Sequence, residues 1–110
     1  MIRMAWLCGC VAGLASFAVA HADDTVVALK LAQGRFEPAE LVVPADTALQ
    51  LHVTNADAAA IEFESFELHR ERVVQPGETI TVYLPALKPG SYPFFDDFHR
   101  ETPEGALVAK

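Results

Sequence analysis

The chain has 110 residues, 52% of them hydrophobic, and fifteen acidic against eight basic side chains give it a formal net charge of −7. That length suits one domain, and an acidic surface repels nucleic acid while attracting cations. Both cysteines (Cys8, Cys10) and both methionines (Met1, Met4) fall within the first ten residues, so thiol and thioether chemistry depends on whether that segment is kept.

Met1-Ile2-Arg3 is followed by an uncharged apolar stretch from Ala5 to Ala20 and then by small residues before Asp23-Asp24. This is the three-part pattern of a secretory signal peptide, with small-x-small cleavage sites at Ala18-Val19-Ala20 and Ala20-His21-Ala22. The apolar run is shorter than the ~20 residues of a spanning helix, so the expected arrangement is a leader at 1–22 and a domain at 23–110, without stable membrane insertion. The lipoprotein-like Leu7-Cys8-Gly9-Cys10 has too little apolar sequence upstream to serve as a lipidation box. Removing Arg3 with the leader takes the formal charge to −8 and leaves no sulfur-containing side chain. An exported domain of this size without disulfides depends on its apolar core or on a bound metal.

From Thr25 the apolar residues recur every second position in short runs divided by Pro, Gly, Asn or Asp, the signature of strands. Val27, Leu29 and Leu31 alternate toward a turn at Gln33-Gly34. Leu49, Leu51 and Val53 alternate before Asn55-Ala56-Asp57. Ile61 to Phe66 and Arg72 to Gln75 follow; Ile80, Val82 and Leu84 alternate between Pro76-Gly77 and Lys88-Pro89-Gly90; Tyr92 to Phe95 and Ala106 to Lys110 close the set. About seven or eight short strands with almost no helix predict an all-β sandwich. Only Asn55 to Glu62 is alanine-rich enough for one helical turn, and it passes quickly into β-formers.

Without cysteine or methionine in the mature chain, thiol catalysis, thiolate metal ligation and a thioether axial ligand are unavailable. Ser65 and Ser91 lack the glycine-flanked elbow of a hydrolase nucleophile, and no glycine-rich phosphate loop is present. No catalytic residue is assigned. Two acidic clusters remain. In Ile61-Glu62-Phe63-Glu64-Ser65 the two glutamates are two apart on a strand and project from one face, a pattern shared by ordinary solvated strands. In the segment Phe94 to Gly105, Asp96, Asp97, His99, Glu101 and Glu104 crowd a loop before the last strand, flanked by Phe94, Phe95 and Phe98. Carboxylates held there require a positive partner, either a metal ion or one of Arg70, Arg72 and Arg100. Oxygen donors with one imidazole suit Cu(II), Fe(II), Fe(III) or Mn(II) better than Cu(I). His52 alternates with Leu51 and Val53 and points outward; His69, among alternating charges, reads as a surface residue or a ligand.

Gly34 to Asp57, then Glu62 to Ser65, then Val73 to His99 and the closing Gly105 to Lys110 together resemble the cupredoxin-like domains of bacterial periplasmic ferrous iron uptake systems, the elemental ferrous iron transporter type. The resemblance spans nearly the whole mature chain and is strongest at Phe36-x-Pro38, Glu62-Phe-Glu-Ser65 and Lys88-Pro-Gly-Ser-Tyr92 with Phe94 to His99. It implies a Greek-key sandwich in the periplasm, with copper (Cu2+), iron (Fe2+/Fe3+) or both as metal. The partners implied are an inner-membrane iron permease and other periplasmic uptake components. It also implies one site at an end of the sandwich, where Glu62 or Glu64 faces Asp96, Asp97, His99 and Glu101. Where blue-copper relatives carry cysteine after the penultimate strand, this chain has Asp96 or Asp97, which excludes a type 1 copper centre. The implied role is metal binding in support of iron uptake, by transfer or as an accessory to iron oxidation, rather than stand-alone enzymic activity. Two alternatives stay open: a protein-interaction module whose acidic end docks on a permease or periplasmic partner without metal, and a copper carrier with no iron role.

Overall fold

A computed structural model describes residues 25–110; the expected leader, residues 1–22, and the expected domain start at Asp23 lie outside the described residues. Among the described residues no helix is long and apolar enough to cross a membrane. The described residues form nine strands: β1 (Thr25–Ala32), β2 (Arg35–Glu37), β3 (Glu40–Val43), β4 (Leu49–Asn55), β5 (Ile61–Ser65), β6 (Arg70–Val74), β7 (Thr79–Leu84), β8 (Gly90–Asp96) and β9 (Gly105–Ala109). They make a β-sandwich of two sheets, ordered β2-β1-β4-β7 and β3-β9-β8-β5-β6.

The alternation of the sequence is carried directly into burial. In β4, Leu49, Leu51, Val53 and Asn55 are buried while Gln50, His52 and Thr54 face outward and are half-buried, because successive side chains of a strand leave opposite faces. Leu29 and Leu31 of β1, Ile80, Val82 and Leu84 of β7 and Leu107 of β9 complete the layer between the sheets. Phe94 is fully buried, edge-to-face with Phe36 at 4.9 Å and tilted against Phe63 at 5.4 Å. These three rings fill one end of the core, each contributing about 1.5–3 kcal/mol by burial alone.

The strand count exceeds the seven or eight expected by the two short strands β2 and β3. Pro38 interrupts Arg35–Val43, so neither piece is long enough to show periodicity; both exist because they find partners, β2 antiparallel on β1 and β3 parallel to β9. The alanine-rich segment after Asn55 forms bends, with no helical turn. Asn55 holds it in place: its amide donates to the carbonyls of Ala59 (2.8 Å) and Val74 (3.0 Å), and its oxygen accepts the Asp57 N–H (3.0 Å). Asp57 in turn accepts the backbone N–H groups of Gln33 and Gly34 at 2.6 and 2.9 Å. The β1–β2 turn and the entry to β5 are thereby tied together at the end of the sandwich where the acidic residues gather.

Candidate metal centre

In the second sheet β5, between β8 and the edge strand β6, places Ile61, Phe63 and Ser65 toward the core and Glu62 and Glu64 on the outer face. Its neighbour β8 continues the same alternation to its end. Phe94 and Asp96 are inward, Asp96 only 1% exposed, whereas Phe95 and Asp97 belong to the outer face. Antiparallel pairing sets Phe63 opposite Asp96, and the Asp97 N–H donates to the Glu62 carbonyl at 3.0 Å. Asp97 therefore comes to lie beside the two glutamates. Ligand oxygens of Glu62, Glu64 and Asp97 all lie within 4.8 Å of one another.

On the other flank, β6 sets Glu71 directly opposite Glu64. Glu71 presses on Glu62 as well. Glu62 is 8% exposed, and its side-chain hydrogen-bond partner is another carboxyl group, that of Glu71. Burial raises its pKa, and a hydrogen bond with Glu71 together with repulsion from Glu71, Asp97 and Glu64 adds to the rise, so that it reaches about 7 against an ordinary 4.5. A carboxyl group in this position lacks positive charge, and a proton or a metal ion supplies it.

The inward side is built differently. Asp96 Oδ1 accepts the backbone N–H groups of Glu62 and Phe98, both at 3.0 Å, and Oδ2 meets His99 Nδ1 at 2.7 Å. With two backbone donors and an imidazole nitrogen on its oxygens, Asp96 works as a clasp between β5 and the 97–104 loop. His99 lines a pocket at this end of the sandwich with Leu31, Ile61, Asp96, Glu101 and Thr102. The six expected ligands thus divide between two sides of one sheet: Glu62, Glu64 and Asp97 outside, Asp96, His99 and Glu101 at the end pocket. A single site joining all six does not form. The reason is strand parity, which sends consecutive Asp96 and Asp97 to opposite faces.

Of the three arginines expected as positive partners for the acidic pair, Arg100 meets Asp97, while Asp96 is met by the His99 imidazole. Arg100 Nε and Nη2 each lie 2.7 Å from Asp97 Oδ1, and the guanidinium sits 4.4 Å from the centroid of the Phe95 ring. Arg70 and Arg72 turn elsewhere, donating to the carbonyls of Tyr83 (2.9 Å) and Thr81 (3.5 Å) of β7. Phe95 is packed against Phe66, but Phe98, expected to shield the acidic pair, is 50% exposed. His69 stands with Phe66 and Arg70 in a neighbouring groove, which Glu64 and Glu71 also line. Sequence reading missed Glu71; the alternation of β6, with Val74 inward and hence Glu71 outward, is the signal that locates it.

The residues of the end pocket, where the resemblance puts the metal, do not suit a type 1 copper centre. One imidazole is present, the buried carboxylate is already hydrogen-bonded, and no cysteine or methionine occurs among the described residues. The oxygen-only cluster on the outer face is of the kind that hard cations prefer.

The cupredoxin-like domain family matches the chain over residues 2–109. A protein of Rickettsia prowazekii (strain Madrid E), described as uncharacterised, is 40% identical over 88 residues, covering 78% of this chain and 70% of that one. Among solved structures, the dithionite-reduced auracyanin of Roseiflexus castenholzii superposes with a TM-score of 0.67 at 13% identity, covering 79% of this chain and 98% of that chain. Auracyanin A of Chloroflexus aurantiacus, a blue copper protein, gives 0.65 at 14% identity over 79% and 99%. The metal-binding domain of the Cu(I)-exporting P-type ATPase of Streptococcus pneumoniae gives 0.64 at 12% identity over 77% and 84%. At these identities the structural likeness is one of fold.

Proposed function

The chain belongs to the cupredoxin-like domain family, and from that premise we propose that it is a periplasmic metal-binding protein that assists ferrous iron uptake by holding and handing over iron. The cargo ion would be held by Glu62, Glu64 and Asp97, with Glu71 at hand. One observation carries the reading: three carboxylates converge within 4.8 Å around a glutamate that is more than nine-tenths buried and whose side-chain hydrogen-bond partner is another acid, Glu71. Like charges are gathered at such a place only at a cost, which a bound cation removes.

Hard oxygen donors favour Fe(III) over softer ions and also accept Fe(II). Cu(II) stands above Fe(II) in the general order of divalent affinities, so it competes at the same carboxylates when both are supplied. The leader-like segment at 1–22 and the resemblance to iron-uptake domains support export to the periplasm and delivery to an inner-membrane iron permease. The absence of a thiolate-type copper site speaks against electron transfer of the blue-copper kind.

The test is titration of the purified protein with Fe(II) under anaerobic conditions, Fe(III)-citrate and Cu(II), followed by calorimetry and thermal melts. A ligand present at a hundred times its dissociation constant stabilises the native state by about 2.7 kcal/mol. Iron is expected to raise the melting temperature of the wild type and to leave a Glu62→Gln, Asp97→Asn double variant unmoved. A melting temperature indifferent to every metal, or an equal shift in the double variant, would overturn the reading.

A further inference from the structure

We propose that Arg100 is a built-in competitor for the cation, a guanidinium that holds Asp97 while the cluster is free of metal and, staying on the Phe95 ring, gives Asp97 up when an ion is bound. The inference rests on the carboxylate cluster being the metal site.

Three features of the outer face converge on it. Both short contacts of Arg100, from Nε and Nη2 at 2.7 Å, are made to the same Asp97 oxygen, and Asp97 is one of the three clustered ligands. Among the described residues the only other ion pairs are Lys30 with Glu37 and His99 with Asp96, while Arg70 and Arg72 are committed to backbone carbonyls. Among the described residues Arg100 is therefore the one side chain that forms an ion pair with the cluster. It keeps a second partner when Asp97 is released: its guanidinium lies 4.4 Å from the Phe95 ring, which Phe66 braces from the side, and a cation over an aromatic face is attracted to it. Its side chain is 65% exposed, so leaving Asp97 strands no donor away from water.

Glu62 identifies what displaces it. The hydrogen bond and the ion pair of the arginine both go to Asp97 at the rim, and neither reaches the deeper Glu62. A multivalent ion seated among the three carboxylates neutralises both at once, which the guanidinium, tethered at residue 100, does not. Its proximity then repels the ion, lowering affinity and easing release, a useful property in a protein that hands its cargo on.

The experiment compares wild type, Arg100→Gln and Arg100→Lys by anaerobic calorimetry with Fe(II). Removing a like charge at this distance is expected to tighten binding about tenfold in Arg100→Gln, with Arg100→Lys close to wild type because it keeps the charge. In 15N spectra with Zn(II) as a diamagnetic probe, the Arg100 Nε–H resonance is expected to lose its hydrogen-bonded shift on saturation. Unchanged or weaker binding by Arg100→Gln, or a persistently bonded Nε–H, overturns the competitor role while leaving the metal site standing. Absence of binding by wild type and variants alike overturns both.

Discussion

Asp96 is the residue whose loss reveals most about how the site is held. Its side chain is wholly buried, and its carboxylate takes the Glu62 N–H, the Phe98 N–H and His99 Nδ1. Replacing it with alanine leaves the buried Glu62 amide without a partner, which costs about 1–3 kcal/mol, and the half-buried Phe98 amide loses a bond worth about 0.5–1.5 kcal/mol. With the half-exposed His99 contact added, the loss is about 3 kcal/mol, a large share of the ~5–15 kcal/mol that holds a small domain together. At about 4–8 °C per kcal/mol for a domain of this size, Asp96→Ala is expected to melt about 12–24 °C below wild type. Asparagine keeps one acceptor oxygen for the two backbone donors, so Asp96→Asn is expected to lose only about 1 kcal/mol. Urea unfolding followed by circular dichroism measures both, and hydrogen exchange at the Glu62 and Phe98 amides locates the change. The clasp would be refuted if Asp96→Ala stayed within about 1 kcal/mol of wild type, or if asparagine proved as harmful as alanine.

Glu62 imposes a pH dependence whose sign follows from its raised pKa. The folded state keeps the proton up to about 7, whereas the unfolded chain releases it near 4.5, so its contribution to stability is fully present below 4.5 and is lost as pH rises through 7. Metal-free protein in a chelator should melt lower at pH 8 than at pH 5 by a margin that shrinks in Glu62→Gln; identical pH profiles for the two would contradict the assignment. Gly105 opens β9 directly after the acidic loop, and a Cβ there would lie 2.6 Å from Phe94 Cζ and 3.0 Å from the Ala39 carbonyl. Gly105→Ala is therefore expected to destabilise by about 1–3 kcal/mol in denaturant unfolding, the usual effect of overpacking. His52 faces outward from β4, so His52→Ala should leave the metal-induced rise in melting temperature intact. His99→Ala should lower the metal-free melting temperature by a few degrees, through the Asp96 contact, yet preserve the metal-induced rise; loss of that rise would return the imidazole to the ligand set.

Much of this molecule is written in one dimension. Period-two alternation in β1, β4 and β7 names the inward residues without any coordinates, because a strand has only two faces and one must be apolar. The same parity puts Glu62 and Glu64 together on one side of β5, and the lack of Cys and Met beyond residue 10 rules out blue-copper chemistry from composition alone. Strand parity could not be followed through Asp96-Asp97, since nothing local marks where β8 ends. Only the pairing with β5 decides it. Register with Phe63 makes Asp96 the last inward residue and turns Asp97 outward, so two adjacent, chemically identical side chains acquire unlike surroundings, one as a buried clasp and the other at the rim of the carboxylate cluster. Tertiary structure likewise brought Glu71 to Glu62 and Arg100 to Asp97. Those contacts cross between strands or around a loop, and the distance between side chains there depends on register and turn geometry, to which a linear pattern of residue types is blind.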